Sequence, residues 1–457
     1  MEINEQSNED LDLIQNHPRK AIRKLSLPIA GSLFFLILNS LIDTAWVSGL
    51  GSQALAAVGF ITPLSMAIAG FGTGLGAGAN AVISRYLGAG NEKRANNGAA
   101  HATIFAVALV IVLTAFLYVF SDNVLLAFGA EKVMDWGRPF IKWVIIGLFS
   151  AMLPGILGGI LRSAGSVKRA TYPLIAAAFV NMIIDPIFIY SLNWGIAGAS
   201  FATMLAQACC ALLPMIYWIF IKKDIVIDVN LKDYHTDLSI YKDILAVGIP
   251  ASLEEFIMAL LSAIVNGVLS IAAGTTAVAV FSAAWRLVGI GITPAMGVGT
   301  AAVTVFGAAY GAKNWKNLKE GFGAAVETSI FASLIVAAIF YIFAGDLASL
   351  FAFSPQNVAL APQIADSLRI LALYIVVIPF GMMATFFFQG VGKGVKSLVL
   401  TFLRELVFVV LGVLFFTFVM KWGTDGVYVG LVVGGLVGSL IAYFASKMDL
   451  GKITKTE

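Results

Sequence analysis

Twelve apolar runs, each long enough to cross a lipid bilayer as a helix, follow one another from residue 25 to residue 446. They lie at 25–48, 54–83, 98–120, 138–160, 171–192, 196–221, 244–270, 277–308, 322–344, 363–388, 397–420 and 426–446. A crossing takes about 20 residues. Hydrocarbon offers no partner to an open backbone, so runs of this length have to be helices that satisfy their own amides. The composition agrees: 59% of residues are hydrophobic and 12% charged, whereas a soluble domain is roughly a quarter charged. The expected fold is an all-α integral membrane protein of twelve transmembrane helices. Runs 54–83 and 277–308 exceed one crossing and are expected to tilt or to run past the membrane.

The short connections set the orientation. The N-terminus, 84–97, 161–170, 222–243, 309–321, 389–396 and the C-terminus together hold 22 of the 29 Lys and Arg residues. The opposite set holds Lys132, Arg138 and Lys421. The positive-inside rule places the first set, with both termini, in the cytoplasm and the protein in the cytoplasmic (inner) membrane. The net charge of +3 is too small to call for nucleic acid. The polar, mixed-charge start (MEINEQSNEDLDLIQNHPRK) lacks the apolar core of a signal peptide.

The chain repeats itself. "LSLPIAGS" and "LGAGNEKRANNG" bracket spans 1 and 2, and "AVGIPAS" and "YGAKNWKNLKEG" bracket spans 7 and 8. "GSVKRA" answers to "KGVKS", and "NWGIAG" to "KWGTDG", at an offset of 222 to 228 residues throughout. The expected organisation is a tail at 1–24, a six-span lobe at 25–221, a polar cytoplasmic linker at 222–243, a second six-span lobe at 244–447 and a tail at 448–457. Two parallel six-span halves suit alternating access, in which one bundle rocks against the other. The plainer alternative is a duplication that only built a helical scaffold.

Ionisable residues inside spans are costly and mark functional sites. In the first half they are Asp43 and Asp185, at matching depth below the outer ends of spans 1 and 5. Asn39 precedes Asp43 by four residues and Asn181 precedes Asp185 by four, so each pair shares a helix face. Thr203 in span 6 reaches the same level, with Gln207 one turn further in. Such an oxygen-rich nest suits a proton or Na⁺, and it equally allows the reading that these groups only tie helices together. In "NMIIDPIFIY", Pro186 deprives the Met182 carbonyl of its helical partner and kinks the span, freeing backbone acceptors.

The second half has valines where the aspartates stand in the first, at 265 and 413. Its own charges are Glu254, Glu255, Arg286, Arg369, Arg404 and Glu405, expected to form internal ion pairs. Glu254 and Glu255, with Arg286 and Gln207, stay candidates for substrate contact or a second ion site. The glycines at 70, 72, 74, 76 and 78 of "GFGTGLGAGAN" are read as close-packing positions. Cys209 and Cys210 are read as small core residues. His17, His101 and His235 are scattered. No phosphate-binding loop, catalytic cluster or cofactor motif stands out, so a non-enzyme driven by an ion gradient rather than ATP is expected.

"LIDTAWVSGLGSQALAAVG" through "RYLGAGN", "NMIIDPIFIY", "GIAGASFATMLAQ" and "RLVGIGITPAMGVGTAAVTVFGAAYGAKN" make the chain resemble the MATE (multidrug and toxic compound extrusion) transporters, in their DinF-like branch. The resemblance covers almost the whole chain. It implies a V-shaped pair of pseudo-symmetric six-helix bundles of the MATE/MOP type that exports organic cations in exchange for H⁺ or Na⁺. In that branch the equivalents of Asp43, Asn181, Asp185 and Thr203 form the cation site of the first lobe. Two features depart from the pattern. Asn39 stands where close relatives carry tyrosine, and Glu254–Glu255 do not fall where the Na⁺-type branch places its second-lobe glutamate.

The expectation is a monomeric multidrug antiporter for amphipathic organic cations, with Asp43, Asp185, Asn39, Asn181 and Thr203 holding the coupling ion. Proton coupling is favoured and Na⁺ at Asp43, Asn181, Asp185 and Thr203 stays open. The rivals are a lipid or lipid-linked-sugar flippase and a channel.

Overall fold

The structure, a computed structural model, describes residues 2–223, 225–229, 234–349 and 360–455, with side chains from Glu9 onward. Of the expected tails and linker, residues 1, 224, 230–233 and 456–457 lie outside the described residues. All regular structure among the described residues is helical.

Among the described residues, twelve helices are long and apolar enough to cross a membrane. Spans 1 to 6 are Pro18–Ser48, Ser52–Gly88, Glu92–Val119, Ala130–Ser163, Val167–Ser191 and Gly195–Lys222. Spans 7 to 12 are Leu238–Ala273, Thr275–Gly311, Trp315–Ile342, Ala361–Gly390, Gly394–Val419 and Gly423–Ile453. Every expected run is found, and the chain is a multi-pass membrane protein. Several helices overrun their apolar runs, as span 1 does by starting at Pro18 rather than 25. Hydropathy marks the stretch in hydrocarbon, while Lys, Arg and Glu beyond it are good helix formers and carry the helix on.

The repeated motifs have local physical meaning. Asn91 and Asn314 each cap a helix, accepting at 3.0 Å from the backbone N–H three residues on, in Arg94 and Asn317. Gly51 and Gly274, at the tight turns between spans 1 and 2 and between spans 7 and 8, take φ of 106° and 80°, which glycine tolerates best.

The chain divides into two compact units: Met1–Gln15 with Gly31–Ser252, and Asn16–Ala30 with Leu253–Glu457. Among its described residues the first unit shows two apolar cores. One gathers Leu75, Ile83, Ile156, Ile160 and Met215, and the other gathers Ile61, Ile141, Ile145, Leu148 and Met152. The second unit has one large core around Phe281, Leu287, Tyr374 and Leu431, which also takes in Val265 and Val413. Those valines are thus apolar filler where the first half carries aspartate.

Glycines bring spans 2 and 4 together. A Cβ on Gly155 would lie 2.5 Å from the Gly72 carbonyl oxygen, and one on Gly159 would overlap the Gly76 carbonyl. Two glycine pairs four residues apart therefore let the backbones touch. Gly74 and Gly78 face Ser252 and Ile244 of span 7 in the same close manner. The close-packing reading of this run holds. Gly159→Ala should cost about 1–3 kcal/mol through overpacking and lower the thermal unfolding midpoint in detergent. Gly59→Ala is the control, since nothing lies within 4 Å of its added Cβ.

Two expectations about smaller features are corrected. Cys209 is exposed and Cys210 half-buried, both free. They sit in a wide turn of span 6, Gln207–Leu212, which rotates them off the packed face that regular α spacing implies. The linker reads as polar, yet Ile225, Ile227 and Val229 are buried in the first unit's core. Its backbone is held by Asn96, which accepts from Asp228 N–H, and by His101 Nε2, which accepts from Asp237 N–H at 2.9 Å. The short apolar run Ile225, Val226 and Ile227, with Val229 just beyond it, carried that burial signal.

Candidate cation-binding site

The first unit brings together two helix faces separated by 142 residues of chain. On span 1, Asn39 Nδ2 donates to Asp43 Oδ2 at 3.2 Å. The same nitrogen donates to Asn181 Oδ1 of span 5 at 2.8 Å. On span 5, Asn181 Nδ2 donates to Asp185 Oδ1 at 2.7 Å and approaches Thr203 Oγ1 of span 6 at 3.5 Å. The hydroxyl of Thr203 donates back to its own helix at the Ala199 carbonyl, which turns its lone pairs toward Asn181. Asp43 and Asp185 lie close enough to interact directly.

Asp185 is fully buried, Asn181 is 2% exposed and Asn39 is 9% exposed. Both amides spend their N–H groups inside the cluster, and three buried oxygens are left without a donor among the described residues: Asn39 Oδ1, Asp43 Oδ1 and Asp185 Oδ2. Buried acceptors without donors are costly. Two neighbouring carboxylates out of water also repel unless a proton or a cation sits with them. The donor set is entirely oxygen, which fits a proton or a small hard cation and not a soft metal.

The local sequence explains the geometry. Four-residue spacing puts each amide over its carboxylate on one face. Pro186 follows Asp185 directly, and the helix continues as a wide turn over Ile187–Ser191, closed by Leu192 N–H donating to the Ile187 carbonyl at 2.9 Å. The expected disturbance after Asp185 is therefore present, as a change of helical pitch.

Five of the sequence candidates come together here: Asn39, Asp43, Asn181, Asp185 and Thr203. Gln207 does not. It is half-buried, opens the wide turn of span 6 and makes no side-chain hydrogen bond among the described residues. The second-half candidates lie elsewhere, in the other unit. Glu254 accepts from Gln389 Nε2 at 3.1 Å and from Ser397 Oγ at 2.7 Å, so its partners are neutral. Glu255 is exposed.

Among the described residues, the expected network of internal ion pairs reduces to one. Arg404 Nε meets Glu405 Oε1 at 2.7 Å with both side chains buried, and Tyr374 Oη donates to Glu405 Oε2 at 3.2 Å. Arg369 instead pairs with Asp366 one turn away on an exposed face. Arg286 is exposed and has no ion pair among the described residues. Equal depth does not imply a shared face, because helix rotation decides which residues meet. Gln389 and Ser397 carried no sequence signal, being ordinary polar residues at span ends.

Comparison with known proteins gives a consistent picture. The profile of the MatE family matches residues 28–187 and again 250–414, an offset of 222 residues at the start and 227 at the end. The chain is 25% identical over 271 residues to the multidrug export protein MepA of Staphylococcus aureus, an alignment covering 59% of each chain. It is 26% identical over 371 residues to an FAD transporter of Shewanella oneidensis, covering 79% of this chain and 78% of that one. A solved MOP superfamily transporter from Pyrococcus furiosus is 35% identical and superposes with a TM-score of 0.94 over 98% of this chain and 99% of that one.

Proposed function

We propose that this chain, which belongs to the MatE family, is a secondary active exporter that moves amphipathic organic cations outward in exchange for H⁺ or Na⁺. The observation that carries the reading is the Asn39–Asn181 bridge, which holds two carboxylates and three unsatisfied oxygens together across spans 1 and 5. The match to the S. aureus multidrug export protein supports the substrate class, and the positive-inside pattern supports cytoplasmic termini.

The geometry suggests how an ion can do work. Unit charges about 4 Å apart at an effective dielectric of about 20 repel by about 4 kcal/mol. A proton or Na⁺ at Asp43 and Asp185 removes that repulsion and lets span 1 close on span 5. Loss of the ion restores it and drives the two apart. Ion occupancy thereby biases the position of span 1, the differential interaction that alternating access needs. Protons are the favoured ion, because each carboxylate already accepts one amide N–H and a single proton shared between the two satisfies the pair.

Efflux of a fluorescent organic cation from proteoliposomes, with pH and Na⁺ gradients imposed separately, tests this. A response to the pH gradient alone supports proton antiport. A response to Na⁺ alone makes the same oxygens a Na⁺ site. No response to either, with a lipid analogue crossing leaflets instead, moves the assignment to a flippase.

One observation favours a second reading, an anionic cargo. Arg286 stands inside span 8 without an ion pair among the described residues, and one relative is an FAD transporter. On that reading FAD efflux exceeds organic-cation efflux, and Arg286→Ala lowers it at least about tenfold, as for a charge-assisted contact worth about 1.5–3 kcal/mol. Under cation export the same substitution leaves cation efflux at the wild-type level.

A further inference from the structure

Spans 1 and 5 are joined a second time, on the other side of the carboxylates. Tyr190 Oη donates to the backbone carbonyl of Trp46, 144 residues away. The two rings meet edge to face with centroids 6.3 Å apart. Trp46 lies in the last turn of span 1, where carbonyls lose their partners four residues on. Here Leu50 N–H goes to Val47, and the Trp46 carbonyl keeps a contact at 3.2 Å from Gly49 N–H. Tyr190 thus caps the end of span 1 from another helix.

Three features show that this contact is built. Gly49 has an ordinary backbone conformation, so glycine is not needed there for its φ. A Cβ at Gly49 would collide with the Tyr190 hydroxyl, so the position is kept bare for it. Tyr190 sits in the wide turn Ile187–Ser191, whose bonding over five residues brings it round toward the face of Asp185, five residues earlier. The Trp46 indole N–H, meanwhile, is buried without an acceptor among the described residues. The bonded arrangement carries a cost that another position of span 1 can relieve, as a latch between two states requires.

The result is a symmetrical clamp. Along span 1 the order is Asn39, Asp43, Trp46, and along span 5 it is Asn181, Asp185, Tyr190. We propose that Tyr190 is a positioning residue for the cation site: its bond to Trp46 latches the Ser48 end of span 1 to span 5, sets the placement of Asp43, and must open for the ion to come and go. This rests on the reading of Asp43 and Asp185 as the coupling site. In that reading the Asn39–Asn181 bridge is the inner tie and Tyr190–Trp46 the outer one.

The test compares Tyr190→Phe, Gly49→Ala and the double variant in proteoliposomes with the full chain. Tyr190→Phe removes only the hydroxyl, and Gly49→Ala displaces it while leaving tyrosine in place. Each should shift the driving-ion concentration for half-maximal efflux by about 3- to 10-fold, the range expected for one lost hydrogen bond. The KM for the organic cation should stay within about twofold of wild type, because neither change alters a cargo contact. The double variant should be no worse than the more affected single, since both break one bond. An unchanged ion dependence in Tyr190→Phe, or fully additive effects, overturns the latch.

Hydrogen exchange of the 44–50 segment separates the two levels of the argument. Faster exchange in Tyr190→Phe, together with Asp43→Asn that still transports in an ion-dependent way, sinks the site assignment and keeps the latch as a tie between the spans. Unchanged exchange in Tyr190→Phe sinks the latch whatever Asp43→Asn does.

Discussion

Asp185→Asn is expected to reduce ion-driven efflux to the leak of empty liposomes without lowering the unfolding midpoint. The substituted amide can still accept from Asn181 through its oxygen, so the 2.7 Å contact survives. The charge facing Asp43 is gone, and with it both the repulsion and the group that takes up the ion. A residue that only ties helices together behaves in the opposite way, since its loss lowers stability first and activity as a consequence. Activity lost with stability kept, or even raised, is the mark of a site held under strain for function. Asp43→Asn should behave alike. Normal ion-driven efflux in both variants, at normal expression, would return Asp43 and Asp185 to structural roles.

In the second unit the largest effect is expected at Arg404. Its guanidinium pairs with Glu405, whose side chain is fully buried and also meets the Tyr374 hydroxyl. Arg404→Met leaves that carboxylate without its charged partner and should destabilise by about 3–5 kcal/mol. The double change Arg404→Met with Glu405→Leu should recover most of the loss, because a well-packed apolar pair replaces a buried ion pair at little net cost. Thermal unfolding in one detergent, read for the singles and the double, decides it. A double variant as unstable as Arg404→Met would mean that the Glu405 charge is not the source of the penalty. Efflux at the wild-type level in the folded double variant would further show that this pair is structural.

Much of the molecule was legible in the sequence because it depends on short-range rules. Run length decided the spans. The cap asparagines Asn91 and Asn314 and the turn glycines Gly51 and Gly274 recur at one offset because each half needs the same local geometry. Asn39 with Asp43, and Asn181 with Asp185, share faces because a helix repeats about every 3.6 residues. Tyr190 was also readable in principle. It stands in "NMIIDPIFIY", five residues past Asp185, and a wide turn after Pro186 is what brings a residue at that spacing to the carboxylate's side.

The rest depended on helix rotation. A single wide turn shifts every later side chain by roughly a residue's angle, about 100°. Cys209 sits in such a turn and so misses the face that regular spacing assigns to it, whereas Gln207 precedes the widening, with its N–H still bonded to the Thr203 carbonyl, and its side chain meets no partner among the described residues. Arg286 is exposed without an ion pair among the described residues and Arg369 pairs with Asp366 on its own helix, so neither joins the glutamates. Span number, repeat and carboxylate–amide pairing follow from local periodicity and hydrocarbon solvation, and the sequence alone determined them. The bridge from Asn39 to Asn181, the latch from Tyr190 to Trp46 and the neutral partners of Glu254 were decided only by the tertiary structure. Each depends on how far glycine-lined backbones approach and at what angle they rotate, a balance of many contacts that no single stretch of chain contains.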